Sequence, residues 1–429
     1  TLSQTTGKIR IGIINTIGQR RDAESVSDLS KLVDDSDPMT AAAAITALGK
    51  IGGEKVTRVL TRAKDKTSGE LKALVYDAYL NCADMLLQQG EKNKALTIYS
   101  QLNTPAYNEP IRYAAMRGMF RAQGENVSEF ILRLLKNSDA QTQILAANLV
   151  NEIPATESVS GIAEALPNLP PKCQVQLLTL FAERWDAEVR QAAVAATQSA
   201  HAEVRAAALQ ALGKIGDETM VPLLAKIAAG KSAEGTTARK SLHRLAGSNI
   251  DETIVSNLAN AAPDLKVELI LAVNQRRISA ATPLLLQTAK APESQVRLES
   301  IKALKTIADD QYLPDLVDLL LNAPNPSERS ELEKTVTAVA QKAPPEKRHS
   351  AVVMARLEKF PAGTNSEARE SLLHVLGGIG DKAALPILIA ALHDTAANVK
   401  AAAIRGLSEW PTAEPGKNLL DIAEKSKHN

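Results

Sequence analysis

Apolar residues return along this chain on two periods at once, a short one of three or four and a long one near 31. In the segment VRAAALQALGKIGDETMVPLLAKI from Val204, apolar positions fall three and four apart before Gly216-Asp217 and again after it. Such spacing predicts two helices, each with one apolar stripe, joined by a turn. Aligned on Leu212, equivalent positions recur at Ile17, Leu48, Met119, Val150, Phe181, Leu242, Val273, Leu304, Leu376 and Leu407. Most steps are 31 residues, and Leu212 to Leu242 is 30. The wider gaps, 71 and 72 residues, each have room for one further unit plus about ten inserted residues, which makes roughly a dozen units.

Other columns travel with this anchor, each with a physical reason. Eight residues before it stands an apolar residue (Ile9, Ile111, Val204, Leu265, Val296, Val399), two turns away on the same helix face. A cation follows: Arg10, Arg112, Arg205, Lys266, Arg297, Arg369 and Lys400. Five residues after the anchor come Asp22, Asp186, Asp217, Asp309 and Asp381, placed to cap the next helix by accepting from its free amides. Ten after it stand Pro222, Pro283, Pro314 and Pro386, which need no amide partner in a first helical turn. The Ala-rich run gives a smooth face for close approach, and Gly-x-Ile-Gly-Asp ends the helix, since glycine takes the left-handed conformation cheaply. Each unit therefore reads as two antiparallel helices of about 12 residues. One hairpin cannot bury its stripe alone, so the fold class is all-α, an α-solenoid of about twelve stacked hairpins.

The VR-x-x-AA-x-ALG-x-IGD-x-x-x-x-P signature resembles the HEAT repeat, in the variety also seen in phycobilin lyases, and is closest at 203–224, 295–316 and 368–390. The resemblance implies an Asp/Arg ladder between repeats, built from Asp22, Asp186, Asp217, Asp309 and Asp381 with Arg10, Arg112, Arg205, Arg297 and Arg369. It also implies that the VR helices line a concave surface. Residues 119–180 lack most of the turn Asp and Gly, so a less regular stack is expected there. The runs 82–102, 111–118, 240–251 and 405–427 are similar to helical arrays of large secreted bacterial proteins, often adjoining a 3-keto-disaccharide hydrolase or cytochrome-like domain. That likeness implies a periplasmic or secreted setting. The start at Thr1 without Met, and the end at Asn429 where such arrays continue, are expected of an excised piece.

Two stretches break the period. Residues 71–113 hold five of the six tyrosines, Tyr76, Tyr79, Tyr99, Tyr107 and Tyr113, in a pattern like a tetratricopeptide hairpin. They read either as rings filling a local core or as a ligand-facing patch. Residues 322–368 carry proline and charge in their loops and read as one unit with extended connections. The expected organisation is HEAT repeats over 1–70, the longer hairpin over 71–118, central repeats over 119–321, the extended unit over 322–368 and C-terminal repeats over 369–429, in one continuous solenoid.

Composition narrows the function. With 50 basic against 49 acidic residues the net charge is +1, so no long-range field draws a polyanion. Aromatics are 3%, and no apolar run is long enough to span a bilayer. Cys82 and Cys173 fit no zinc or disulfide spacing and read as small buried hydrophobes. The histidines His201, His243, His349, His374, His393 and His428 are scattered, and no phosphate loop, dinucleotide fingerprint or nucleophile elbow is present. LGGIGDK at 376–382 occupies the turn that other units fill with LGKIGDE. No catalytic, cofactor or metal site is therefore expected.

A binding surface is legible in one further column. Two residues before the anchor stand Asn15, Thr46, Arg117, Asn148, Thr179, Gln210, Lys240, Leu271, Lys302, His374 and Arg405, with no acid among eleven. It predicts a polar-to-basic inner groove, its candidates being Asn15, Arg117, Asn148, Gln210, Lys240, Lys302, His374 and Arg405, or else a plain solvated face. The function expected is a non-catalytic scaffold holding a protein or peptide partner, acidic or glycan-bearing, on the concave face, with neither nucleic acid nor a membrane span. The alternatives are a helical arm of a secreted carbohydrate-active or redox protein, a bilin-lyase-like protein, or a DNA-binding HEAT protein. The last would need a basic groove with aromatics.

Overall fold

Capped amphipathic segments become helices throughout the chain, and the described residues contain 26 α-helices and no strand. The computed structural model describes residues 2–123, 126–137, 139–184, 187–230, 232–343 and 350–426. Two compact units emerge, Thr1–Ala211 and Leu212–Asn429. The first contains α1 (Gly7–Arg20), α2 (Val26–Lys31), α3 (Pro38–Ile51), α4 (Glu54–Lys66), α5 (Gly69–Gln88) and α6 (Lys92–Leu102). It continues with α7 (Glu109–Gln123), α8 (Val127–Asn137), α9 (Ala140–Ala147), α10 (Ser160–Ala165), α11 (Pro171–Arg184) and α12 (Arg190–Ala196). Helix α13 (Ala202–Ile215) carries the division. The second unit holds α14 (Val221–Ala229), α15 (Gly235–Arg244), α16 (Ile250–Asn260), α17 (Pro263–Arg276), α18 (Thr282–Thr288) and α19 (Ser294–Ile307). After these come α20 (Leu313–Leu321), α21 (Pro326–Ala340), α22 (Ala351–Leu357), α23 (Ser366–Ile379), α24 (Leu385–Ala391), α25 (Ala397–Ser408) and α26 (Gly416–Ser426).

Within each unit the hairpins stack in two layers. Odd-numbered helices touch in succession, α1 on α3 on α5 in the first unit and α17 on α19 on α21 on α23 on α25 in the second. The shorter helices pack behind them, α2 on α4 and α20 on α22. Nine of the eleven anchors are buried, while Ile17 and Met119 are partly covered, so the long period marks the shared core. Ile9 departs from its apolar column: in α1 it is 70% exposed.

Close approach between first-layer helices rests on small residues in register. A Cβ on Gly49 would lie 2.7 Å from the Ala78 Cβ, and one on Gly377 would lie 2.3 Å from the Gly406 Cα. Gly18 meets Ala47 and Gly213 meets Ser241 in the same way. In three of the four pairs the residue after one anchor faces the residue before the next, and Ala78 stands one before Tyr79, 31 residues after Leu48. The first glycine of the Gly-x-Ile-Gly motif is thus a packing residue inside the helix, and only the second ends it. Gly52 and Gly380 take φ of 66° and 67° at that end, and Arg21 and Arg277 adopt the same left-handed geometry in their units at 53° and 56°.

The second helices differ from the expected uniform 12-residue rods. A 3-10 turn precedes several of them, at Ala23–Ser25, Glu218–Met220, Ser279–Ala281, Asp310–Tyr312 and Lys382–Ala384. Asp22, Asp217 and Asp381 cap that turn, accepting from Glu24, Thr219 and Ala383 at 3.0, 3.0 and 3.1 Å. Pro222, Pro283, Pro314 and Pro386 then stand in the first turn of the α segment, where no amide partner is lost. Asp309 makes no such cap, and Asp186 lies outside the described residues, as do His349 and His428.

The tyrosine-rich stretch is built around α5, 20 residues long. Tyr79 and Tyr99 are buried there. The Tyr79 hydroxyl donates to Gln101 at 3.0 Å, and the Tyr99 hydroxyl donates to Asp84 at 2.5 Å. Tyr76 and Tyr107 meet edge-to-face at 5.0 Å. Of the two readings open in the sequence, core filling is the one realised for these four rings.

Candidate binding face

The ladder between repeats is present, but the two sequence columns do not pair with each other where their partners are described. Arg10 reaches Asp35 at 3.5 Å, Arg369 reaches Asp394 at 2.7 Å, and Arg297 forms two bonds of 2.8 Å to Glu328. Arg112 donates to Thr142 at 2.5 Å. The same column also holds the loop ahead of its own helix. Arg205 donates to Ser199 and Ala200 carbonyls, and Arg297 to those of Ala291 and Pro292. The expected Asp-to-Arg ladder is corrected accordingly, because Asp22, Asp217 and Asp381 are already engaged by backbone amides and hydroxyls. Asp381 also accepts from the Ser350 amide and hydroxyl at 3.2 and 2.6 Å, capping the start of α22 in the preceding hairpin. Glu157 and Glu188 do likewise for Ser128 and for Ser158 with Val159.

A cationic rung was not legible in the sequence. Arg184, three residues after its anchor, donates to the carbonyls of Val150 and Ile153 in the preceding unit, and Arg276 donates to those of His243 and Leu245. Each satisfies helix-end carbonyls that would otherwise lack donors. The signal that could have found it was a basic residue at anchor plus three, which these units share with Arg20 in the first.

The candidate face lies on the first-layer helices. Asn15, Thr46, Thr179, Gln210, Lys240 and Arg405 are exposed, and Arg117, Asn148, Leu271, Lys302 and His374 are half-buried. The column is therefore at the surface from end to end of both units. Its basic character is corrected in three places by acids one column away. Glu152 stands 2.9 Å from Arg117, Glu299 2.8 Å from Lys302, and Glu333 3.3 Å from His374. Burial pushes the Glu333 carboxyl up, but hydrogen bonds from His374 and Ser371 outweigh it and hold the group below the usual range. Asn148 accepts from Gln176. A single sequence column cannot register these neighbours, since they come from other columns of the same face.

Two depressions open on this face in the second unit. One, of about 380 Å³, is lined by Glu333, Lys334, Gln341, His374, Arg405 and Glu409, with both signs of charge. The other, of about 560 Å³, is lined by Lys240, His243, Arg244, Gln275 and Arg276 and has no acid in its wall. Lys240, His243 and Arg244 come from the last two turns of α15, and Gln275 and Arg276 from the last turn of α17.

The thiols offer no nucleophile. Cys82 and Cys173 are buried and unpaired, and burial pushes them up to about 12 and about 11, so both stay protonated near neutrality. Among the described residues no three His, Cys, Asp or Glu side chains gather as a metal site, and no helix is long and apolar enough to cross a membrane.

The fold has counterparts among solved structures. The chain is similar to the karyopherin Kap121p bound to the extreme C-terminus of the protein phosphatase Cdc14p, at 11% identity and a TM-score of 0.51, over 98% of this chain and 55% of that one. It is also similar to importin beta, at 14% identity and a TM-score of 0.40, over 96% of this chain and 69% of that one. The chain spans about half the length of the Kap121p chain, and at these identities the likeness concerns the fold alone. No curated protein matches it. The family model for HEAT repeats matches residues 2–79, 159–242, 252–336 and 351–429. With the 31-residue period, the two-layered hairpins and that match in agreement, the chain belongs to the HEAT-repeat family.

Proposed function

We propose that this protein is a non-catalytic scaffold that holds a peptide segment of a partner protein along the exposed column of its first-layer helices. The observation that carries the reading is the column itself. Helices whose other faces are consumed by stacking keep Asn15, Thr46, Thr179, Gln210, Lys240 and Arg405 open to solvent. Side chains repeated on the packed helices within each unit meet an extended ligand at several points without ordering a loop, which lowers the cost of binding. That a structure of Kap121p holds the extreme C-terminus of Cdc14p makes a peptide ligand reasonable for such a frame.

The test is selection of a displayed random-peptide library on the full chain, followed by photo-crosslinking of the selected peptide. Crosslinks to the first-layer column, and at least tenfold loss of binding on Thr179→Glu with Gln210→Glu for a peptide crosslinked in the first unit, are expected. Crosslinks confined to the shorter second-layer helices, or no selection above an empty support, would overturn the reading.

A further inference from the structure

The cavity between the ends of α15 and α17 differs from the rest of the face in carrying positive charge that no described residue neutralises. Arg276 is accounted for: its Nε donates to Asp251 at 2.6 Å and its Nη1 to two carbonyls that end α15. Arg239, one turn back, is held by Glu268 through two bonds of 2.6 Å. These two pairs cancel, while Lys240 and Arg244 make neither an ion pair nor a hydrogen bond among the described residues. Basic residues in a last helical turn often serve the helix dipole or cap its carbonyls. Here Arg276 already does the capping, and Lys240 and Arg244 bond no carbonyl. The Nε2 atom of His243 is shielded from solvent and has no hydrogen-bond partner among the described residues.

We infer that this cavity is an oxyanion anchor that takes the clustered carboxylates of an acidic peptide segment. Its donors are the Lys240 ammonium, the Arg244 guanidinium and the Gln275 amide, with the His243 ring in the same wall. Guanidinium and ammonium groups around one cavity give charge-assisted bonds to carboxylate oxygens, stronger than neutral ones. A volume of about 560 Å³ is large enough for more than one carboxylate side chain. The positive charge is also local. Lys302 and Lys305, on α19, are bonded to Glu299 and Glu331 at 2.8 and 3.0 Å. A short acidic cluster fits such a spot, whereas a nucleic acid backbone needs a continuous basic track. Burial, then the nearby Arg239 and Arg276, opposed by Glu268, keep the His243 imidazole below its ordinary value, so it is neutral in the empty cavity. A bound carboxylate nearby favours its protonated form.

The inference rests on the scaffold reading and names the chemistry of one anchor within it. The test is fluorescence anisotropy of a labelled octapeptide rich in Glu and Asp, titrated with the full chain at low salt. The expected result is saturable binding that Lys240→Glu with Arg244→Glu weakens by about tenfold or more, the loss of charge-assisted bonds. Lys240→Arg with Arg244→Lys retains it, and Arg405→Glu changes it little. The His243 ring resonances should move with the peptide and their pKa should rise, a readout that general charge repulsion would not produce. Binding indifferent to the Lys240/Arg244 pair overturns the anchor. So does failure of the acidic probe on a chain that still binds a library-selected peptide through its column, and the scaffold reading then stands. Failure of both peptides overturns both.

Discussion

Gly377 and Arg277 illustrate opposite demands on single residues. At Gly377 an added methyl group would enter the backbone of Gly406, which cannot retreat without parting α23 from α25. Gly377→Ala should therefore destabilise the chain by about 1–3 kcal/mol, the usual cost of overpacking a tight contact. Arg277 is exposed and sits at φ 56°, where other units place glycine. Relief of about 1–3 kcal/mol of left-handed strain, less roughly 0.4–1 kcal/mol for the freer unfolded chain, predicts that Arg277→Gly stabilises by about 1 kcal/mol. Paired thermal melts check both signs. A drop with Arg277→Gly, or no change with Gly377→Ala, would contradict this account. The sequence carried both glycines of the motif, yet it could not separate their duties. One is decided by the backbone of its own turn and the other by the helix next door.

Between elements, Arg297 on α19 is tied to Glu328 on α21 by two charge-assisted bonds. Both side chains are nearly buried, and Glu328 also accepts from Ser294 and Asn325. Glu328→Ala leaves a buried guanidinium without its partner and should cost about 3–5 kcal/mol. The Arg297 side chain first, then Asn325 and Ser294, holds the Glu328 carboxyl below its ordinary 4.5 against the effect of burial. Since the unfolded chain takes up this proton first, the link contributes fully above pH 4.5 and is lost as pH falls through the lower, folded value. Urea midpoints from pH 7 to pH 3 should fall less steeply below pH 4.5 in Arg297→Met with Glu328→Leu than in the parent. Equal slopes would remove the pair from the acid response. Glu328 occupies the column that carries a cation in most units, and that exchange hides the pair from a search for like residues in register.

Over the whole molecule, charge is balanced and aromatic side chains are scarce. A chain of this kind should not retard a short DNA duplex at about 0.15 M salt, since phosphate binding needs several uncompensated cations in a row. A clear shift at that salt would favour the DNA-binding alternative over the scaffold. The basic column read from the sequence overstated the field of the face, because Glu152, Glu299 and Glu333 stand beside Arg117, Lys302 and His374. What remains is the concentrated charge at Lys240 and Arg244.

Periodicity by itself determined that the chain is helical, that its hairpins repeat near 31 residues, and most of the apolar positions that enter the core, Ile9 excepted. Helix stripes and caps are local, and a stripe that recurs must be buried by its neighbours. The partners of Arg10, Arg297 and Arg369, the cationic caps of Arg184 and Arg276, and the unneutralised cavity at α15 and α17 were decided only in three dimensions. Each depends on which columns of adjacent units the stacking brings within a few ångströms, and stacking geometry is set by the small-residue contacts rather than by any one repeat.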